Sequence, residues 1–227
     1  MSNFDNYIDG RDKLRDNLLK YTRKTFKLIP EIQNPQVLDV GCGTGVPTIE
    51  LAKISNGHVT GIDIDEKLLD ILRRRIKEKG LNDKVSVLNK SINMMDFKKE
   101  SFDIIWSEGA VFVIGFENSI KNWRKILKPN GFLVLHDDIK DKSKKLGLIE
   151  KYGYQLIAEY ELSFDIWWNE YYSKLEKFVE KYKDKFPEDS QLRKEIESDR
   201  NQVNMCKSTP EVVSSFYAII KKEDREI

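Results

Sequence analysis

The chain has 227 residues, 40% of them hydrophobic and 34% charged, which indicates a folded globular protein and excludes an intrinsically disordered one. Its formal net charge of +1 gives no electrostatic footprint for nucleic acid or for an anionic membrane surface. The N-terminus lacks a signal-peptide pattern and no apolar run is long enough to span a membrane, so we expect a cytoplasmic protein.

Strands and helices are predicted to alternate through the first two-thirds of the chain. Apolar residues spaced at three and four positions predict a helix over residues 11–28. Short apolar runs predict strands at residues 37–40, 59–62, 85–88, 102–106 and 132–135. Amphipathic segments predict helices at residues 47–55, 65–79 and 118–127, the last ended by Lys128–Gly131. This alternation predicts an α/β fold with a doubly wound, Rossmann-like, mostly parallel sheet.

The last third of the chain departs from this alternation. We predict strands at residues 155–162 and 214–220, with charged, aromatic-rich helices at about 165–185 and 190–206 between them. The predicted arrangement is one domain over residues 1–227, with a helical cap at 1–34, a core at 35–138 and a helical insertion or lid at 164–206.

The stretch from Asp39 to Gly45 is the most informative in the sequence. It reads D-x-G-x-G-x-G between a predicted strand and a predicted helix, so the backbone can turn tightly beneath a ligand at the helix N-terminus. A dinucleotide loop would read G-x-G-x-x-G, whereas here Val46 follows Gly45. The spacing therefore disfavours a pyrophosphate, and Asp39 suits a ligand that carries an ammonium group.

Asp63 is the acidic partner of this loop. It ends the second predicted strand, one helix and one strand after Gly45. A carboxylate in that position can accept both hydroxyls of a ribose. The alternative is a glycine turn followed by an aspartate that caps the next helix.

Together, Asp39–Gly45 and Asp63 resemble motif I and its acidic successor in class I S-adenosylmethionine (AdoMet)-dependent methyltransferases of the small-molecule, methyltransferase type 11-like group. The resemblance continues to about residue 138 and implies a seven-stranded sheet. It also implies that the cofactor lies over Gly41, Gly43 and Gly45, with Asp39 at its methionine end and Asp63 at its ribose. Ile64 would pack on the adenine, Ser91 and Ile92 would border the adenine edge, and Ser107 would face the methionine end.

The acceptor is expected beyond the ends of the fourth and fifth strands, where Glu108, His136 and Asp137 are the candidate catalytic residues. A base is needed only where the acceptor must lose a proton, and each of the three could instead pair locally or serve the fold. Trp167, Trp168 and Tyr171 could wall a substrate pocket, or could form a helix stripe that docks the insertion.

Two histidines and two cysteines without metal-ligand spacing predict no metal site. Nucleic-acid methylation is disfavoured because no Asn/Asp-Pro-Pro-aromatic segment follows the fourth strand, no cysteine lies where a C5 enzyme needs one, and no basic arm interleaves aromatic residues. We expect a small-molecule acceptor, methylated on N, O, S or C. A protein or RNA substrate, a non-catalytic AdoMet-binding protein and a homodimer stay open as alternatives.

Overall fold

The computed structural model describes residues 2–93, 95–182 and 191–224. The chain forms two compact units. The larger comprises Tyr21–Tyr160 and Phe216–Ile227, and the smaller comprises Met1–Lys20 and Glu161–Ser215. Within the part that is described, no helix combines the length and the apolar composition that crossing a membrane requires.

A seven-stranded sheet forms the centre of the larger unit, in the order β3-β2-β1-β4-β5-β7-β6. The strands are β1 (Gln36–Val40), β2 (His58–Asp63), β3 (Val85–Asn89), β4 (Phe102–Glu108), β5 (Leu127–Asp138), β6 (Tyr154–Leu162) and β7 (Ser215–Lys222). Strands β1 to β5 pair in parallel registers. The sequence-based prediction of a Rossmann-like, seven-stranded sheet with helices inserted before the last strand is confirmed.

Helices α3 (Val46–Ile54), α4 (Glu66–Glu78), α5 (Phe116–Trp123) and α6 (Lys142–Lys151) follow strands β1, β2, β4 and β5 along the chain. Helix α4 shows why the sequence folds in this way. Asp65 caps its first turn by accepting hydrogen bonds from the backbone N–H groups of Lys67 and Leu68. Its buried face repeats at helical spacing through Leu69, Leu72 and Ile76.

In this unit one local prediction was wrong and one helix was missed. Lys128–Gly131 was expected to separate a helix from a strand, but β5 already begins at Leu127, opposite Phe102. The register then shifts between Phe102 and Ile104, so the Pro-Asn-Gly signal produces an irregularity within the strand. Helix α6 was not predicted at all, because its buried face consists of Ile149 alone.

The smaller unit combines the N-terminal segment with the segment that precedes β7. Helix α1 (Asn3–Arg15) is followed by a 3₁₀ turn and by α2 (Leu19–Phe26), which continues into the larger unit. The helix predicted at 11–28 therefore begins earlier and is interrupted at Asp16–Leu18. The segment before β7 contains α7 (Phe164–Trp167), a π-helical turn (Trp168–Tyr172), α8 (Ser173–Glu180) and α9 (Gln191–Ser208). The predicted helix ends at residues 183–185 and 190 lie outside the described residues.

A buried polar network holds α1 against α9. The hydroxyl of Tyr7 donates to Asp199 at 2.8 Å, and the Arg11 guanidinium lies 3.1 Å from Glu195 and 3.4 Å from Asp199. The Tyr7 ring also packs 5.1 Å from those of Phe178 and Tyr182. The N-terminal segment and the insertion thus share one core.

Candidate active site

The glycine loop follows β1 and lies against the end of β2. The backbone N–H groups of Gly41 and Cys42 both donate to the carbonyl oxygen of Ile62, at 2.9 and 3.0 Å. Gly41, Gly43 and Gly45 adopt φ angles of 74°, 50° and 79°, in the left-handed region that a residue with a Cβ rarely enters. The loop conformation thus depends on the three glycines that the sequence singled out.

The three glycines serve different purposes. A Cβ on Gly41 would lie 2.3 Å from the Cβ of Ala110, and one on Gly45 would lie 2.1 Å from a methyl carbon of Leu72. These two positions are required by packing within the protein. A Cβ on Gly43 would meet only Leu68, at 3.9 Å, so the space beside Gly43 is open to a ligand.

Asp63 links this loop to helix α4. Its carboxylate accepts the backbone N–H of Gly43 at 2.8 Å through one oxygen and that of Asp65 at 3.0 Å through the other. A carboxylate has about four lone-pair sites, so each oxygen can accept a further hydrogen bond. Next to it, the apolar side chain of Ile64 is 73% exposed. This combination fits a ribose with its hydroxyls on Asp63 and an adenine against Ile64.

The other residues expected at the cofactor already have protein partners. Asp39 is 2% exposed and accepts the hydroxyl of Thr48 at 2.6 Å. The Ser107 hydroxyl is buried and donates to the Val40 carbonyl at 3.1 Å. Ser91 accepts the backbone N–H of Asn93 at 3.2 Å. Ile92 is partly buried against the core. The structure therefore places Asp39 and Ser107 as supports of the loop rather than as open ligand groups, and their contact with the cofactor stays a prediction.

Glu108 ends β4 and lies in register with His136 of β5. One Glu108 oxygen accepts the hydroxyl of Thr22 and the indole N–H of Trp106, both at 2.9 Å. The imidazole of His136 packs on the ring of Tyr217, with 4.5 Å between ring centroids and 31° between planes. The structure thus brings Glu108 and His136 together at the end of the sheet where an acceptor is expected.

Asp137 is only 7% exposed and forms an ion pair with Lys145 of α6 at 2.8 Å. Burial raises the pKa of this carboxyl, while Lys145 acts in the opposite direction. The pair joins β5 to α6, so a structural role accounts for Asp137; its catalytic role is not tested by this geometry.

Within the smaller unit, the predicted substrate residues differ in burial. The indole of Trp167 donates to the Ser215 hydroxyl at 2.9 Å, and Tyr171 is 8% exposed in the core of that unit. Trp168 stacks on Phe164 with ring centroids 6.2 Å apart, and the Lys207 ammonium lies 5.6 Å from the Trp168 ring. Tyr171 is thus buried, whereas Trp167 and Trp168 are both half-buried.

Metal and cysteine chemistry find little support in the part of the chain that the structure describes. No group of three or more His, Cys, Asp and Glu side chains there could hold a metal ion. Cys42 lies in the glycine loop, but burial, with Asp39 and Asp63 adding to it, raises the pKa of its thiol. This thiol therefore stays protonated and is a poor nucleophile at neutral pH.

Sequence reasoning missed the side chains that orient these groups. Thr48 holds Asp39, and Thr22 holds Glu108. The Asn89 amide donates to the Ile64 carbonyl at 3.2 Å and to Glu66 at 2.7 Å. Only Asn89 had a readable signal, since it directly follows the third predicted strand; the structure pairs it with Asp63.

Comparison with known proteins supports the interpretation of this geometry. Residues 37–131 match a protein family described as methyltransferase domain. The stretch spans the glycine loop, Asp63 and Glu108, and ends within β5.

Two curated relatives and one solved structure illustrate the similarity. The chain is 33% identical over 103 residues to sterol 24-C-methyltransferase ERG6B of Gibberella zeae, covering 45% of this chain and 27% of that protein. It is 28% identical over 134 residues to phosphoethanolamine N-methyltransferase of Plasmodium falciparum, covering 58% and 49%. The chain thus spans less than half the length of these curated relatives. A SAM-dependent methyltransferase from Geobacter sulfurreducens, solved with S-adenosyl-L-homocysteine, superposes with a TM-score of 0.67 at 16% identity, covering 88% of this chain and 90% of that one.

Proposed function

We propose that this chain, which contains a domain of the class I methyltransferase family, transfers a methyl group from AdoMet to a small-molecule acceptor. The observation that carries the proposal is the junction of Gly43 and Asp63. Here an open left-handed glycine, a carboxylate with spare accepting capacity and an exposed isoleucine meet at the carboxyl ends of β1 and β2. This is the edge of an open α/β sheet at which ligands bind.

Several residues would hold the cofactor. Asp63 would bind the ribose hydroxyls, Ile64 would pack on the adenine, and the open face of Gly43 would admit the ligand close to the backbone. Asp39, held by Thr48, would face the methionine end. When bound, AdoMet supplies a methyl group that its sulfonium already activates, so the protein contributes mainly the position of the acceptor.

Glu108 is the proposed polar contact of the acceptor. Thr22 and Trp106 fix one of its oxygens, so the carboxylate can position an acceptor or take up its proton without first reorganising. His136 lies opposite it in the sheet register and could share that task. Asp137 remains a weaker catalytic candidate, because its carboxylate is already paired with Lys145.

The small-molecule class of the acceptor is also a proposal. The sterol and phosphoethanolamine methyltransferases are relatives whose names specify small acceptors. In this proposal the segment 164–206 selects the acceptor, with Trp167, Trp168 and Tyr171 contributing, and the protein acts in the cytoplasm.

A labelled-methyl screen tests the proposal. Purified protein is incubated with methyl-labelled AdoMet and three fractions, which are small metabolites, total RNA and total protein. The matched control is the Asp63→Ala variant. We expect label only in the metabolite fraction and a strong decrease in the control. Label in RNA or protein would overturn the acceptor class, and AdoMet binding without any labelled product would favour a non-catalytic binding protein.

A further inference from the structure

The turn that follows β4 displays an apolar surface beside the glycine loop. Of the large hydrophobic residues that the structure describes, Ile64 and Phe112 are the most exposed, at 73% and 72%, and Val113 follows at 53%. A single exposed apolar side chain needs no explanation. These residues, however, follow β2 and β4, the two strands that flank β1 and its glycine loop. The exposed apolar surface therefore lies at the edge of the sheet where ligands bind.

This turn packs directly on the glycine loop. Ala110 is buried, and its Cβ lies so close to Gly41 that a Cβ on that glycine would be 2.3 Å away. The backbone N–H of Val113 donates to the Ala110 carbonyl at 3.1 Å, which closes the turn. Because two residues span at most about 7 Å, the Cα of Phe112 lies within that distance of the Cα of Ala110.

Gly109 gives the turn an open side. Its φ of 76° lies in the left-handed region, and a Cβ there would meet no heavy atom of the described residues within 4 Å. Gly43 combines the same two properties, with a φ of 50° and a nearest contact at 3.9 Å. A ligand can therefore approach the backbone closely both at the glycine loop and at the end of β4.

The packing of the turn keeps Phe112 out of the core. Val111 is fully buried in the hydrophobic core, and its carbonyl accepts the backbone N–H of Gly115 at 2.8 Å. Phe116, which begins α5, is buried in the same core. A 3₁₀ turn has three residues per turn, so the side chain that follows a buried one points away from it. The fold thus presents the Phe112 ring to solvent in a fixed place.

The order of the strands decides which ligand meets Phe112. Strands β2, β1 and β4 are neighbours in the sheet. In the proposed function, on which this step rests, Asp63 and Ile64 at the end of β2 hold the ribose and the adenine. The methionine end of the cofactor then points towards β4. Phe112 and Val113 lie beyond that end, on the side where the acceptor binds.

We infer that Phe112 and Val113 form an apolar wall of the acceptor site and select an acceptor with a hydrocarbon or aromatic body. Covering exposed apolar surface is favourable roughly in proportion to the area removed from water. A compact, fully polar acceptor gains nothing from this wall and loses water from its own polar groups. Phe112 therefore acts on acceptor affinity and leaves cofactor affinity unchanged.

Two probes that share a six-membered ring test the inference: cyclohexanol, which is largely apolar, and inositol, which is polar throughout. Each is titrated into protein saturated with S-adenosylhomocysteine, and the amide signals of Gly109 and Phe112 are followed by NMR. We expect cyclohexanol to bind at least about tenfold more tightly than inositol, because each buried methylene contributes about three- to fourfold. Shifts of these two signals locate the bound probe.

Three variants separate the wall from other apolar surface. Phe112→Ala should weaken cyclohexanol binding several-fold and leave S-adenosylhomocysteine affinity unchanged. The matched control is Ile157→Ala, which shortens an exposed apolar residue of β6 and should change neither affinity. Ile64→Ala should weaken S-adenosylhomocysteine binding and, in saturated protein, spare cyclohexanol. Circular dichroism checks folding, and Val113→Ser is a second variant of the wall with the same expected effect as Phe112→Ala.

The labelled-methyl screen gives a readout that does not depend on the probes. We expect the labelled small-molecule product to be retained on a reversed-phase column, as an apolar body requires. A labelled product that elutes without retention would overturn the inference.

The binding experiments can also overturn it. Contrary results are equal affinities for inositol and cyclohexanol, no cyclohexanol binding, or equal behaviour of Phe112→Ala and Ile157→Ala. Weaker S-adenosylhomocysteine binding by Phe112→Ala would assign the residue to the cofactor instead. Failure of the proposed function appears separately, as no S-adenosylhomocysteine binding by the wild-type protein.

Discussion

The carboxylate of Asp63 accepts the backbone N–H of Gly43 at 2.8 Å, and this bond joins the end of β2 to the middle of the glycine loop. The residue proposed to bind the ribose thus also holds the one loop glycine whose outward side is open. A single carboxylate therefore couples the shape of the loop to its ligand.

Asp63→Ala should weaken AdoMet binding by one to two orders of magnitude. The substitution removes the charged acceptor of the ribose hydroxyls. A loss of about 1.5–3 kcal/mol, the contribution of a hydrogen bond to a charged group, gives this range at about 1.4 kcal/mol per tenfold change. Calorimetry with AdoMet measures the effect. The matched control is Asp65→Ala, which removes the N-cap of α4 and should cost about 1 kcal/mol of stability with little change in affinity. Equal losses of affinity in the two variants would remove Asp63 from the ribose site.

The glycines should separate into two classes. Gly43→Ala should fold with a loss of about 1–2 kcal/mol, because its φ of 50° is strained for alanine although its Cβ meets open space. Its AdoMet affinity should fall further than this strain explains. Gly41→Ala should lose more stability, because its Cβ would collide with Ala110. Urea unfolding and calorimetry distinguish the two, and an unchanged affinity in Gly43→Ala would contradict the open-face assignment.

The sequence predicted this end of the molecule well because the constraints are local. A strand, a D-x-G-x-G-x-G turn and a following helix are set by neighbouring residues, and Asp63 follows from one further strand. The sequence could not predict which of the three glycines are required by packing and which one faces open space. It depends on Ala110 and Leu72, which lie far along the chain and carry no signal of their contacts.

Substitution of Asp199, in the buried polar network of the smaller unit, should strongly destabilise the protein. Asp199→Ala should lower the free energy of unfolding by about 3–5 kcal/mol, because it leaves the Arg11 charge and the Tyr7 hydroxyl with one partner fewer. Asp199→Asn should cost clearly less, since an amide can still accept from Tyr7. Urea unfolding of both variants checks the order, and equal costs would contradict it.

Asp199 also makes the stability of the folded protein depend on pH. Burial raises its pKa, which Arg11 and the Tyr7 hydrogen bond oppose without cancelling. The folded state therefore binds the proton more tightly than the unfolded state, and this contribution is lost as the pH rises through the raised pKa. The stability of the wild type relative to Asp199→Asn should fall as the pH rises above about 4, the ordinary pKa of an aspartate. A rise over that range would show that Arg11 outweighs burial.

Contacts between residues that are far apart in the chain could not be predicted from the sequence. The N-terminal helix and the insertion were predicted as separate additions to the core, and the structure packs Tyr7 and Arg11 of the first against α9 of the second. Their sequence separation of more than 180 residues leaves no periodic or spacing signal. The same holds for Thr22 and Glu108, which meet only in the folded chain.

Trp168 tests the proposed role of the segment 164–206. Trp168→Ala should reduce acceptor turnover by about tenfold or more while AdoMet affinity and molecular mass in solution stay unchanged, as expected of an element that completes an acceptor site. Trp168→Phe is the matched control, because a phenyl ring can retain the stack on Phe164. If Trp168→Ala instead converts a dimer into a monomer and spares turnover, the segment is an assembly element.

The central claim is that the glycine loop and Asp63 form an AdoMet site and not a dinucleotide site. Isothermal titration calorimetry of the wild-type protein with AdoMet, S-adenosylhomocysteine and NAD tests it most directly. We predict saturable binding of the first two ligands at 1:1 stoichiometry and no binding of NAD. Binding of NAD with no binding of AdoMet or S-adenosylhomocysteine would contradict this claim.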